Sequence, residues 1–358
     1  MAKIDLSNIS HTYNPEDANP TYALNPFSMT WENGNRYAIL GPSGCGKTTM
    51  LNIVSGLVRP SGGKILFDNR DVTNLKTESR NIAQVFQFPV IYNTMTVYDN
   101  LAFPLKCREF AKEKIEERVQ SVSQTLNLSS FLNMPARKLT ADQKQLISLG
   151  RGLVREDVAA VLMDEPLTVI DPDLKFKLRR SLKEINEQYK TTLVYVTHDQ
   201  NEAMTFADNI IVMDQGEIVQ VGLPKDLFEK PKTTFVGYFI GSPAMNLFNS
   251  EVVSNNSIKF SNLEINTKTD LSKIKNKKVK LGIRSEFIKI ANDQKENVID
   301  VKVSRVEDFG NFKLITGKIG EFEIKSKVER ETPISSENLK LFLPAEKCCV
   351  YSEERLVQ

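Results

Sequence analysis

Gly41-Pro-Ser-Gly-Cys-Gly-Lys-Thr48 fits the pattern G-x-x-x-x-G-K-[ST], a loop whose backbone N–H groups curl inward around phosphate oxygens. Gly41, Gly44 and Gly46 permit the curl, Lys47 reaches β- and γ-phosphates, and the Thr48 hydroxyl is a ligand for Mg²⁺. Pro42, Ser43, Cys45 and the following Thr49 complete the candidate cradle, and a helix starting here adds its positive N-terminal end. Arg36-Tyr-Ala-Ile-Leu40 reads as a buried strand feeding the loop, and Thr49-Met-Leu-Asn-Ile-Val54 as the helix leaving it. Strand, glycine loop and helix together predict an α/β nucleotide-binding domain.

The 358 residues suffice for two domains. Charge nearly cancels, with 47 basic and 45 acidic side chains, and from Ser242 onward 20 basic residues face 17 acidic ones. No basic footprint for nucleic acid follows from that balance. The densest basic run, residues 273–280, reads as a solvated loop before a strand. No apolar stretch approaches the roughly 20 residues that span a bilayer, and the start lacks an apolar leader segment, so a soluble cytoplasmic chain is expected. Cys45, Cys107, Cys348 and Cys349 have no metal-site spacing and read as free thiols.

Other candidates fall around the loop in chain order. Residues 3–10 alternate like a strand, and an aromatic just upstream of the loop strand, Tyr13 or alternatively Tyr22, can stack on an adenine ring. Asn81-Ile-Ala-Gln-Val-Phe-Gln87 is a buried strand with a glutamine at its tip, the edge where ligands sit in open α/β sheets. Gln87 is thereby a candidate for the metal or the attacking water. From about 88 to 156 strand signals give way to helices, where Ile115, Val119, Val122 and Leu126 make one apolar face.

Leu139-Thr-Ala-Asp-Gln143 opens a further helix, with Thr140 and Gln143 spaced as a capping box. Val158-Ala-Ala-Val-Leu-Met-Asp164-Glu165 is an apolar strand delivering two carboxylates: Asp164 at the position that holds Mg²⁺ in P-loop NTPases, Glu165 one residue nearer the γ-phosphate, placed to polarise a water. Thr192-Leu-Val-Tyr-Val-Thr197 ends at His198, and residues 210–221 read as a hairpin turning at Gly216. Beyond Ser242 the texture changes to short β runs, 278–284, 298–306, 312–317 and 339–343, which predict a small barrel or sandwich.

With these motifs assembled, the chain resembles the ATP-binding subunit of an ABC importer over essentially its whole length. The resemblance makes Tyr13 the A-loop aromatic, residues 41–48 the Walker A loop, Gln87 the Q-loop, residues 161–165 the Walker B strand with its catalytic glutamate, Asp171 the D-loop and His198 the switch histidine. The tail is similar to the regulatory barrel of the carbohydrate and polyol subfamily, which serves maltose, glycerol-phosphate and glycerol. The stretch 139–154 looks most like one of the paired ATPases of bacterial glycerol importers. An α/β ABC ATPase domain at residues 1–241 with a helical subdomain at about 88–156, and a TOBE-like β-barrel at 242–358, are therefore expected. So are ATP and Mg²⁺ as ligands, a second ATPase subunit, two membrane permeases, a solute-binding protein acting indirectly, and a peripheral place on the cytoplasmic membrane face. The alternative is a non-transport ABC ATPase acting on nucleic acid or the ribosome; the doubled cassette or long coiled-coil insertion usual there is missing.

One loop departs from the family pattern. The usual Leu-Ser-Gly-Gly-Gln stands here as Leu139-Thr140-Ala141-Asp142-Gln143, at the helix N-terminus that faces the γ-phosphate bound by the other subunit. Two carboxylate-like charges about 4 Å apart repel by roughly 4 kcal/mol at an effective dielectric of 20. Asp142 facing the phosphate implies that the site it faces is weak, and hence an asymmetric heterodimer with Asp171 at the same interface; the alternative is an Asp142 that points away and serves its own helix N-terminus.

Overall fold

The structure, a computed structural model, describes residues 2–17, 19–274, 278–334 and 337–357. The middle of the basic run at 273–280 lies outside the described residues. Two compact units emerge, Met1–Pro224 and Lys225–Gln358.

The first unit runs β1 (Ile4–Thr12), β2 (Tyr22–Trp31), β3 (Arg36–Leu40), α1 (Lys47–Ser55), β4 (Gly62–Phe67), β5 (Arg70–Asp71) and β6 (Ile82–Val85). Helices α2 (Val97–Lys106), α3 (Lys112–Thr125) and α4 (Ala141–Leu153) follow. The chain then returns through β7 (Ala160–Asp164), α5 (Pro172–Tyr189), β8 (Leu193–Thr197), α6 (Gln200–Phe206), β9 (Asn209–Asp214) and β10 (Glu217–Gly222). Strands β7 and β8 are buried along their whole length, as continuous apolar runs require when both faces of a parallel sheet are covered.

These strands form a six-stranded sheet in the order β10-β9-β3-β8-β7-β6. The pairs from β9 to β6 are parallel, and β10 closes the edge antiparallel. The turn between β9 and β10 places Gln215 and Gly216 at φ 45° and 78°, the left-handed pair of a tight hairpin. Strands β1, β2, β4 and β5 make a second, antiparallel sheet. Ile4, Leu6, Trp31, Ile39, Leu51, Val54 and Ile211 are fully or almost fully buried in one core with α1. A second core joins the helices to β6 and β7, and there Ile115, Val119, Val122 and Leu126 all turn inward.

The second unit carries α7 (Pro224–Glu229) through its last five residues, α8 (Thr234–Phe239), and eleven described strands in antiparallel sheets of six and five. The four runs expected from the sequence appear as Lys278–Ile283, Val298–Asp308, Phe312–Ile319 and Asn338–Phe342. The helices join this unit ahead of the expected joint at Ser242 because Arg284, fully buried, donates to the carbonyls of Phe228, Gly237 and Ile240. Its guanidinium also lies 4.6 Å from the Phe228 ring centroid. Cys348 packs into the core between the sheets and Cys349 against Met245 and Tyr351, so the adjacent thiols face opposite ways and both are free.

Candidate functional site

Four parallel strands end in one line. Leu40 is level with Thr197, Val196 with Asp164, and Met163 with Val85. Their C-terminal tips therefore deliver the glycine loop after β3, His198 after β8, Glu165 after β7 and Gln87 two residues beyond β6. This is the edge at which open α/β sheets bind ligands.

A cleft of about 540 Å³ opens over these tips. Ser43, Gly44, Gly46, Lys47 and Thr48 of the glycine loop line it together with Gln87, Glu165 and His198. Tyr13 and Thr49 also line it, the Tyr13 hydroxyl lies 3.1 Å from Thr49 Oγ1, and the Tyr13 and His11 rings make a T-shaped contact at 4.5 Å. Tyr13 is 60% exposed, and Tyr22 does not line the cleft.

The remaining loop residues lie beneath. Gly41 and Cys45 are buried and Pro42 half-buried. Lys47 Nζ donates to the carbonyls of Gly41 and Pro42, each at 2.8 Å, which stretches the side chain back along its own loop. Gly46, at φ 102°, precedes α1, so the first N–H groups of that helix are directed at the cleft.

Asp164 is buried at the tip of β7, with the Thr48 hydroxyl near enough to favour its charged form. Burial holds the Asp164 carboxyl above the usual carboxylate range, while Thr48 and Lys47 pull it down and the neighbouring Glu165 pushes it further up. The Thr48 hydroxyl, Asp164 carboxylate and Gln87 amide are a hard oxygen donor set, which fits Mg²⁺ shared with phosphate and water. Among the described residues no cluster of three His, Cys, Asp or Glu offers a closed metal cage.

Glu165 adopts φ 44°, a left-handed conformation uncommon outside glycine and concentrated at functional sites. Its N–H bonds to the Val196 carbonyl at 3.0 Å. Its Oε2 accepts the Thr168 hydroxyl at 3.2 Å and lies 3.1 Å from His198 Nδ1. Two carboxylates thus sit at one strand tip in different surroundings, Asp164 buried and Glu165 facing the cleft.

Thr140, Ala141, Asp142 and Gln143 do not line this cleft. Thr140 caps α4, and the capping box is complete: Gln143 N–H donates to the Thr140 hydroxyl at 3.3 Å and Thr140 N–H to the Gln143 side chain at 3.0 Å. Asp142 occupies the first turn, where a carboxylate favours the helix dipole. Asp171 is exposed and caps α5 by accepting from Asp173 N–H at 3.0 Å.

Several residues around the site escaped the sequence reading. Ala23 and Thr168 line the cleft. Gln145, wholly buried on α4, donates to the carbonyls of Phe86 at 3.1 Å and Pro166 at 2.9 Å, pinning the neighbours of Gln87 and Glu165 with one amide. The Thr140-to-Gln143 cap announced the helix but not which of its polar residues would turn inward.

A glycine phosphate loop, an acid pair at the tip of the adjacent buried strand and a histidine at the next tip define a P-loop ATPase site of the ABC type. Comparison with known proteins agrees. A family model described as ABC transporter matches residues 24–168, and one described as MalK OB fold domain matches residues 241–288. An sn-glycerol-3-phosphate import ATP-binding protein, UgpC of Pectobacterium atrosepticum, is 36% identical over 96% of both chains. A UgpC of Agrobacterium fabrum is 43% identical over 72% of this chain and 71% of its own. Among solved structures, the ATP-binding cassette MJ0796, a dimer in a post-hydrolysis state bound to ADP and Pi, superposes at a TM-score of 0.56 with 28% identity. That match covers 62% of this chain and 98% of the cassette. The chain belongs to the ATP-binding subunits of ABC transporters: it is an ABC ATPase with a MalK-type OB domain.

Proposed function

We propose that this chain hydrolyses Mg·ATP in a dimer to drive import of a glycerol-phosphate, sugar or polyol solute through two membrane permeases fed by a solute-binding protein, from the cytoplasmic face of the membrane. One observation carries the reading: full-length similarity to glycerol-phosphate import ATP-binding proteins is joined to an unbroken set of site residues on adjacent strand tips. No helix of the described residues is long and apolar enough to cross a membrane, so the permeation path belongs to other chains.

In this reading the N–H groups of residues 41–48 and the Lys47 ammonium bind the β- and γ-phosphates, and Tyr13 stacks on the adenine. Thr48, Asp164 and Gln87 would hold Mg²⁺, which supplies Lewis-acid neutralisation of the phosphate charge. Glu165 orients and polarises the attacking water; Thr168 and His198 hold its Oε2, and His198 contacts the γ-phosphate. Phe88, 70% exposed just past Gln87, belongs to the surface that meets a permease.

The altered loop supports an asymmetric pair. In the closed capping box the Thr140 hydroxyl and the Gln143 amide serve their own helix, and Asp142 adds a carboxylate beside them. The site of this chain is then completed by a partner with the usual glycine loop, while the site faced by Asp142 is weak. The test is ATP hydrolysis by the chain alone and with its paralogue. Hydrolysis only in the mixed dimer is expected, and strong activity alone, unchanged by Asp142→Gly, overturns the asymmetry.

A further inference from the structure

Glu202 is a buried carboxylate that the site as described does not use. Asp199 caps α6, accepting from the N–H groups of Asn201 at 2.7 Å and Glu202 at 3.4 Å. A glutamate at this third helical position ordinarily turns back to the N–H of the cap residue. Here the Asp199 N–H is already taken by the Thr197 hydroxyl oxygen at 3.0 Å. Glu202 is thereby released to reach down onto β8, where its Oε2 accepts both the Tyr195 hydroxyl at 2.9 Å and the Thr197 hydroxyl at 2.8 Å.

Its other oxygen faces α5. Lys175 Nζ lies 3.5 Å and Arg179 3.8 Å from Oε1, and the Glu202 side chain is only 6% exposed. A buried carboxylate needs such compensation, and the geometry has a direct consequence for the cleft. Thr197 is the last residue before His198, and Asp199, whose N–H rests on Thr197, is the first after it. Both peptide neighbours of His198 are thus fixed through one hydroxyl, and that hydroxyl is fixed by Glu202. Lys175 stands one turn along the helix that Asp171 caps, its N–H bonded to the Asp171 carbonyl at 2.8 Å.

We propose that Glu202 is the positioning residue for His198: it clamps the end of β8 through Thr197 and ties it to α5 through Lys175 and Arg179. The imidazole is thereby held 3.1 Å from Glu165. Glu202 touches no reacting atom; its effect on hydrolysis passes through the placement of the histidine ring, and so rests on the role given to His198 above.

The chain contains two histidines, so its imidazole signals are separable in a protein carrying ring-labelled histidine, with His11→Gln and His198→Gln assigning them. Glu202→Gln and Thr197→Val are expected to move the His198 ring resonances and leave those of His11 in place, while Thr197→Ser keeps the wild-type spectrum. In the assembled ATPase the first two lower kcat roughly tenfold to a hundredfold, the range a displaced catalytic group produces, with KM for ATP within about twofold. Thr197→Ser restores turnover. Asp208→Asn, which loosens the Arg36 pair elsewhere in the same unit, controls for general destabilisation and leaves the His198 signal unmoved.

An unmoved His198 signal in both variants or an equal movement in Asp208→Asn overturns the proposal. If Glu202→Gln fails to fold, Thr197→Val against Thr197→Ser decides it. The ring signal is read without nucleotide, so a moved ring with unchanged turnover faults the role of His198 in hydrolysis and leaves the clamp standing.

Discussion

His198 Nδ1 lies 3.1 Å from Glu165 Oε2, the oxygen that also accepts the Thr168 hydroxyl at 3.2 Å. Two side chains from different segments converge on one carboxylate whose backbone is itself in a left-handed conformation. The Glu165 carboxylate is 18% exposed, at the border between buried strand and open cleft. Such an arrangement suits a group that must hold a water in one orientation.

Glu165→Gln keeps shape and position and removes the charge that polarises water. Hydrolysis is expected to fall at least about a hundredfold, the usual contribution of a general base, with ATP binding retained. Phosphate release and fluorescent-nucleotide titration on the same preparation measure the two. Undiminished phosphate release would remove Glu165 from the mechanism.

Gly44 and Gly46 separate binding from folding. A Cβ on Gly46 would stand 2.5 Å from the Ala23 carbonyl oxygen and 2.8 Å from Leu24, at φ 102°. Gly46→Ala should cost roughly 3 kcal/mol from overpacking and backbone strain together, seen in denaturant unfolding. A Cβ on Gly44, at φ 81°, meets nothing within 4 Å. Gly44→Ala should therefore cost only about 1 kcal/mol, while its methyl group enters the phosphate cradle and weakens nucleotide binding. Equal losses of stability in the two variants would contradict this division.

Local signals carried the sheet and the cleft a long way. Residues 36–40 form β3 as the apolar run and the loop after it demanded, and His198 and Glu165 stand at strand tips because buried strands end in polar residues there. What the sequence hid is non-local. Gln145 lies on a helix already explained by its cap and its leucines, and its carbonyl partners, Phe86 and Pro166, are 59 and 21 residues away. Glu202 has near neighbours in Tyr195 and Thr197, but its inward turn depends on Thr197 occupying the Asp199 N–H, a competition that spacing does not reveal. Two-residue strands such as β5 have no periodicity to read, so the β layers were legible as textures and not as strand orders.

Arg284 tests how the second unit holds its helices. With no exposure, it donates to the carbonyls of Phe228, Gly237 and Ile240, and burial lowers its pKa to about 10. It remains charged at neutral pH. Arg284→Met leaves those acceptors without a donor and should cost roughly 3 kcal/mol or more. Arg284→Lys, which retains the charge but loses the fork, should fall between Met and wild type. Chemical denaturation of the full chain ranks the three, and a Met variant as stable as wild type would show that packing alone holds α8.

The four cysteines give a pH-resolved test of burial. Cys107 is exposed, whereas Cys45, Cys348 and Cys349 are buried, and burial pushes all three of those thiols up, Cys348 to about 12. A raised pKa means less thiolate at any given pH, so at pH 9 only about one Cys348 in a thousand is ionised, and the thiolate is the reactive form. Titration of the native chain with an aromatic disulfide reagent at pH 8 should therefore show one fast thiol, absent from Cys107→Ser, and four after denaturation. Raising the pH to 9 should leave Cys348 and Cys349 slow, since both access and ionisation oppose reaction. A second fast thiol that disappears in Cys349→Ser would mean that the contact between Cys349 and the carbonyl of Glu229, at 3.8 Å, opens readily in solution.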